Sequence, residues 1–208
     1  MRILFFGDSN TWGYDPSSGR RFENRFTRLV QNAFPQDEIL EEGLNGRTLC
    51  HIDPYDTDRI GLYSIQMLCK SHLPIDLLVI MLGTNDAKRI FNTNMTSLSK
   101  GYSSLLYKIL DESIYKAGYT KPKILLVSPP RLNEKYREIE NTWINFGDEG
   151  FMMLEQAYDH MVKMLEPFDV HILDSKVRAG SFDAIHLDEE GHQELAQRII
   201  QKIKEITL

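Results

Sequence analysis

Five short runs punctuate the chain at Ile3–Phe6, Glu38–Glu42, Leu77–Leu82, Lys123–Ser128 and Val170–Leu173. The first, third and fourth are almost continuously apolar, the pattern of strands covered on both faces. The second is more polar and reads as an edge strand. Between the runs lie segments of helix length. Phe22–Phe34 carries Phe22, Phe26, Leu29, Val30 and Ala33 at helical spacing. Ile60–His72, Leu98–Ala117 and Phe151–Leu165 follow, with Gly118 placed to cap the carboxyl end of the long middle one. The final segment, Asp188–Ile206, has Asp188 as N-cap and Glu189 and Glu190 in its first turn, where the helix dipole favours acidic groups.

Strand and helix alternate, which predicts a parallel sheet with right-handed crossovers. The expected fold is α/β: a three-layer α/β/α sandwich on a five-stranded parallel sheet, flavodoxin-like in organisation, with residues 1–208 as one domain. Asp15–Arg21 and Arg131–Gly150 show neither period and are expected to overhang the carboxyl edge of the sheet, where ligands bind in open α/β sheets.

Composition narrows the partners. A formal net charge of −6 argues against nucleic acid, which needs a basic face. Two cysteines, Cys50 and Cys69, are too few for a disulfide framework and read as free thiols of a reducing cytosol. The apolar run after Met1-Arg2 is too short for a signal peptide or a membrane helix. The expectation is a cytoplasmic protein without membrane insertion, with a homo-oligomer left open.

Four motifs can carry chemistry. Gly7-Asp8-Ser9-Asn10 follows the first strand and holds Ser9 at the sheet edge, where backbone N–H groups can face a developing oxyanion. A plain β-turn, or a flavodoxin-like loop cradling a phosphate or nucleotide at a helix start, uses the same residue types. Gly43–Thr48 follows the second strand, and the Gly46 N–H is a candidate oxyanion donor, although a loop glycine serves equally as a turn. Gly83-Thr84-Asn85-Asp86 follows the third, and the neutral amide of Asn85 suits the same task, although Asn and Asp commonly cap turns. Asp183-Ala184-Ile185-His186 precedes the last helix, with a carboxylate three residues from an imidazole it can orient. His51, His72, His160, His171 and His192 lack that local pairing. A parallel sheet brings all four motifs to one edge, as an acyl-transfer site requires.

These four blocks, in this order and across nearly the whole chain, resemble the SGNH, or GDSL-type, hydrolase superfamily. The strings ILFFGDSNTWGY, EEGLNGRT, LPIDLLVIMLGTND and KILLVSPP are similar to its bacterial arylesterase and acyltransferase branch. The resemblance implies Ser9 as nucleophile, His186 as base and Asp183 as its orienter. It also implies an oxyanion hole from the N–H groups of Ser9 and Gly46 and the side chain of Asn85. It implies no cofactor, no metal and a small-molecule ester as substrate. A thioesterase or lysophospholipase of the same superfamily is the alternative. Asn10 stands where the superfamily usually has Leu, and Gly46 where the branch tends to have a small non-glycine residue. Asp8, Trp12 and Phe91, near the blocks, are the candidate pocket residues.

Overall fold

The computed structural model describes residues 1–207. Five parallel strands form one sheet in the order β2-β1-β3-β4-β5. They are β1 (Arg2–Gly7), β2 (Glu38–Gly43), β3 (Leu77–Met81), β4 (Lys123–Val127) and β5 (His171–Leu173). The helices are α1 (Ser9–Trp12), α2 (Phe26–Ala33), α3 (Gly61–His72), α4 (Met95–Ile109), α5 (Glu140–Leu165) and α6 (Glu189–Thr207).

Period-two alternation along β1 divides the core. Ile3 and Phe5 join Phe26, Val30, Leu195 and Ile199 in the layer of α2 and α6. Leu4 and Phe6 join Ile65, Leu105 and Leu154 in the layer of α3, α4 and α5. β1, β3 and β4 are buried on both faces, which is why they read as continuous apolar runs. β2 lies at the sheet edge and is only half-buried, as its Glu-rich sequence requires. No helix among the described residues is long and apolar enough to cross a membrane.

Three helix boundaries differ from expectation. α2 begins at Phe26 rather than Phe22, because Arg25 is extended and its guanidinium is held by Glu41 at 2.7 and 2.6 Å. α4 runs over Met95–Ile109, not Leu98–Ala117. Asn94 caps its start by accepting from Ser97 N–H at 2.9 Å, and Tyr115 donates its hydroxyl to the Ile109 carbonyl at 2.7 Å. Gly118 ends a separate short turn, Lys116–Gly118, instead of capping α4. The largest correction is α5, which begins at Glu140, inside the segment expected to be a loop. Asn141, Thr142, Asn145 and Gly147 are weak helix formers, and Gly147 adopts φ 56° and ψ −165°, breaking the period mid-helix. The kink leaves the first turns of α5 over the carboxyl edge of the sheet.

Candidate active site

All four motif segments meet at that edge. Ser9 starts the single turn of α1, directly after β1, and its preceding Asp8 caps the turn by accepting from Asn10 N–H at 2.9 Å. The loop after β5 returns Asp183–Leu187 to the same place. His186 Nε2 lies 2.9 Å from Ser9 Oγ, and His186 Nδ1 lies 2.5 Å from Asp183 Oδ2. The other carboxylate oxygen of Asp183 accepts the N–H groups of Ile185 and His186, both at 2.9 Å. Burial alone would raise the Asp183 carboxyl, but these donors and the imidazole together hold it below the ordinary carboxylate value. The Tyr14 ring packs 4.7 Å from the His186 ring.

Opposite the imidazole, Asn85 donates its side-chain amide to the Arg47 carbonyl at 3.1 Å. This anchors it beside Gly46, whose φ of 80° lies in the left-handed region and whose missing Cβ would meet the Arg59 side chain at 2.9 Å. Arg47 itself is buried. It donates to the Gly7 carbonyl at 2.9 Å and to the Glu42 carbonyl, tying the ends of β1 and β2 together. Burial pushes its guanidinium down to about 10.

Ser9, Gly46, Asn85, Asp183 and His186 all line one cleft of about 340 Å³. The pocket candidates Trp12, Phe91 and Asp8 are not among its lining residues. Trp12 lies beneath the Arg21 guanidinium at 5.4 Å, and Phe91 packs on the His51 ring at 5.3 Å. Asp8 is 1% exposed, and burial raises its carboxyl to about 6. The walls come instead from Tyr14, Asn45, Arg59, Lys88, Asn145 and Phe146. Asn145 and Phe146 lie on the unexpected first turns of α5, so periodicity could not have found them. Lys88 is half-buried, and that burial lowers its ammonium. Asp15, Pro16 and Ser17 line a second cavity, of about 230 Å³, which also reaches His186.

A metal could be held elsewhere. Cys50, His51 and Asp86 bring one ligand atom each within 4.8 Å of one another. Asp86 is already occupied, accepting the N–H groups of Leu49 at 2.6 Å and Cys50 at 3.2 Å and facing His51 Nδ1 at 2.8 Å. Burial pushes the Cys50 thiol up to about 12, which disfavours the thiolate that a metal needs.

Residues 5–194 match the GDSL-like Lipase/Acylhydrolase family. The chain belongs to that family. Among solved structures it is similar to Est24, a carbohydrate acetylesterase from Sinorhizobium meliloti, at 29% identity over 99% of each chain, with a TM-score of 0.88. It is similar also to the M. smegmatis aryl esterase, at 29% identity over 98% of each chain, with a TM-score of 0.85. A lipase/acylhydrolase from Enterococcus faecalis shares the fold at 19% identity and a TM-score of 0.69, over 98% of this chain and 95% of that one. No curated protein sequence matches the chain. The GDSL family and its esterase neighbours support a carboxylic ester hydrolase of the arylesterase branch.

Proposed function

We propose that the protein cleaves small esters through an acyl-Ser9 intermediate. The observation that carries this reading is the unbroken line from Asp183 through His186 to Ser9, at 2.5 and 2.9 Å, opening on a cleft also lined by Gly46 and Asn85. Ser9 Oγ attacks the carbonyl carbon while its proton passes to His186 Nε2, and Asp183 supports the imidazolium that forms. The tetrahedral oxyanion is held by the N–H groups of Ser9 and Gly46 and by the Asn85 amide. The carbon–oxygen bond to the leaving group breaks as His186 returns the proton to the alcohol. Water then repeats the sequence on the acyl-enzyme and releases the acid and free Ser9.

The lining supports a short acyl group on a polar alcohol. Asn45, Arg59, Lys88, Asn141 and Asn145 present amides and cations, with Tyr14, Phe146 and Ile185 as the hydrophobic share. A carbohydrate acetylesterase among the structural neighbours agrees with that chemistry. A long-chain thioester or lysophospholipid would need a longer apolar channel.

A fluorophosphonate probe tests the reading, because it labels an activated serine. Labelling and p-nitrophenyl acetate turnover are expected in the wild type and lost in Ser9→Ala. Wild-type turnover in Ser9→Ala would overturn the assignment.

A further inference from the structure

We propose that Asn10 is a positioning residue that sets the distance between the nucleophile and its base, an inference that rests on the acyl-Ser9 reading. Asn10 follows Ser9 on the same turn of α1 and is 1% exposed. Its Oδ1 accepts the Leu187 N–H at 2.9 Å, and its Nδ2 reaches the Ile185 carbonyl at 3.5 Å. These two backbone groups flank His186. One side chain therefore grips the base's strip on both sides of the imidazole, from the turn that carries the nucleophile. Among the described residues, the only other side-chain hydrogen bond between residues 8–12 and Asp183–Leu187 is Ser9 to His186 itself.

The remaining ties of the strip run elsewhere. Asn133 N–H donates to the Ala184 carbonyl at 3.0 Å, Gly180 N–H to the His186 carbonyl at 2.8 Å, and Thr142 Oγ1 to the Asp183 carbonyl at 2.5 Å. They hold the strip to the body of the protein but do not fix its distance to α1. Ala184, at φ 63° and fully buried, places a strained residue between Asp183 and His186. A non-glycine residue keeps that conformation only where its surroundings over-determine it. Leu187 is fully buried, so water cannot replace Asn10 as the acceptor of its N–H. Loss of the grip frees the strip to drift from Ser9, and a displacement of about 1 Å at a reacting pair costs on the order of 10²-fold in rate.

The experiment compares Asn10→Leu, which fills the space without an acceptor, with Asn10→Asp, which keeps the acceptor for Leu187 N–H. Asn10→Leu is expected to lower kcat for p-nitrophenyl acetate by about tenfold or more, with KM held within about twofold. Its rate constant for fluorophosphonate labelling should fall in parallel, and that constant, unlike kcat, is unaffected by an irreversibly inactive fraction of the protein. Asn10→Asp, which keeps the acceptor for Leu187 N–H but loses the donor to the Ile185 carbonyl, should recover part of both rates. Wild-type kcat and labelling in Asn10→Leu, or equal losses in the two variants, would overturn the proposal and leave Asn10 as packing. If Asn10→Leu does not fold, Asn10→Ala decides: parallel losses of about tenfold or more in kcat and labelling at nearly constant KM support the proposal, and rates near wild type overturn it. Failure of the wild type itself to label would instead defeat the acyl-Ser9 reading.

Discussion

Among the described residues, two histidine–aspartate pairs sit beyond the carboxyl ends of the strands, and only one of them opens on the cleft. At the first, Asp183 and Ser9 take opposite nitrogens of His186. At the second, Asp86 lies 2.8 Å from His51 Nδ1, and Thr93 Oγ1 lies 3.2 Å from His51 Nε2. The connectivity is the same, carboxylate to imidazole to hydroxyl. Cys50 Sγ also approaches His51, but at 3.7 Å and on the nitrogen already facing Asp86. The difference lies in the surroundings. His186 and Ser9 line a cleft with Gly46 and Asn85, whereas none of Cys50, His51, Asp86 or Thr93 lines it. The second pair fastens loops: Asp86 ties the backbone after Gly46 to the turn that carries Asn85. A hydrogen-bonded His–Asp pair is thus not a sufficient sign of chemistry. A room for the reacting carbon and donors for its oxyanion decide.

The contrast can be broken most sharply by exchanging losses between the two regions. Ser9→Ala or His186→Ala should reduce ester turnover by about 10⁴-fold or more, measured with p-nitrophenyl acetate. Thr93→Ala and His51→Ala should leave kcat within about threefold, since neither touches the cleft. A collapse of turnover in Thr93→Ala would make the second pair catalytic. Asn85→Ala should lower kcat by about 10²–10³-fold at nearly constant KM, the usual effect of one oxyanion donor.

Asp86→Ala should act on stability instead. It leaves the N–H groups of Leu49 and Cys50 without their acceptor, a loss of about 2–4 kcal/mol by urea denaturation.

Asp8 gives a smaller and pH-dependent effect beside Ser9. Its carboxyl is raised from 3.8 to about 6 by burial, so the folded state binds the proton more tightly than the unfolded chain. Stability therefore falls as pH rises through that window, and the cost persists at neutral pH. Asp8→Asn keeps the capping oxygen and should gain roughly 1–3 kcal/mol at pH 7 and almost nothing below pH 4. His192 works in the opposite sense. Burial depresses it from 6.5 to about 4, so stability is lost as pH falls through that range. His192→Gln should flatten that acid limb in a series of melts across pH. The smallest effect is expected at the Cys50 thiol, which should resist alkylation at neutral pH in the folded protein.

The sequence by itself determined the sheet and the order of the motifs along it. Short, almost continuously apolar runs fit strands covered on both faces, so β1, β3 and β4 were legible, and the more polar, Glu-rich run fitted an edge. Parallel crossovers then bring every strand's carboxyl end to one side, which is why Ser9, Gly46, Asn85, Asp183 and His186 could be named together from residues far apart in the chain. Tertiary structure alone decided what surrounds them. The wall residues Asn145 and Phe146 lie on helical turns whose Asn, Thr and Gly composition hides the helical period. Trp12 and Phe91 were near the motifs in sequence, yet packing against Arg21 and His51 turned both out of the cleft. The second His–Asp pair joins positions 35 residues apart, and Asn10 grips backbone 175 and 177 residues away. No local pattern records such contacts. Periodicity reports which face of an element is buried, whereas the direction and partner of a single polar side chain are set by the neighbours that folding brings to it.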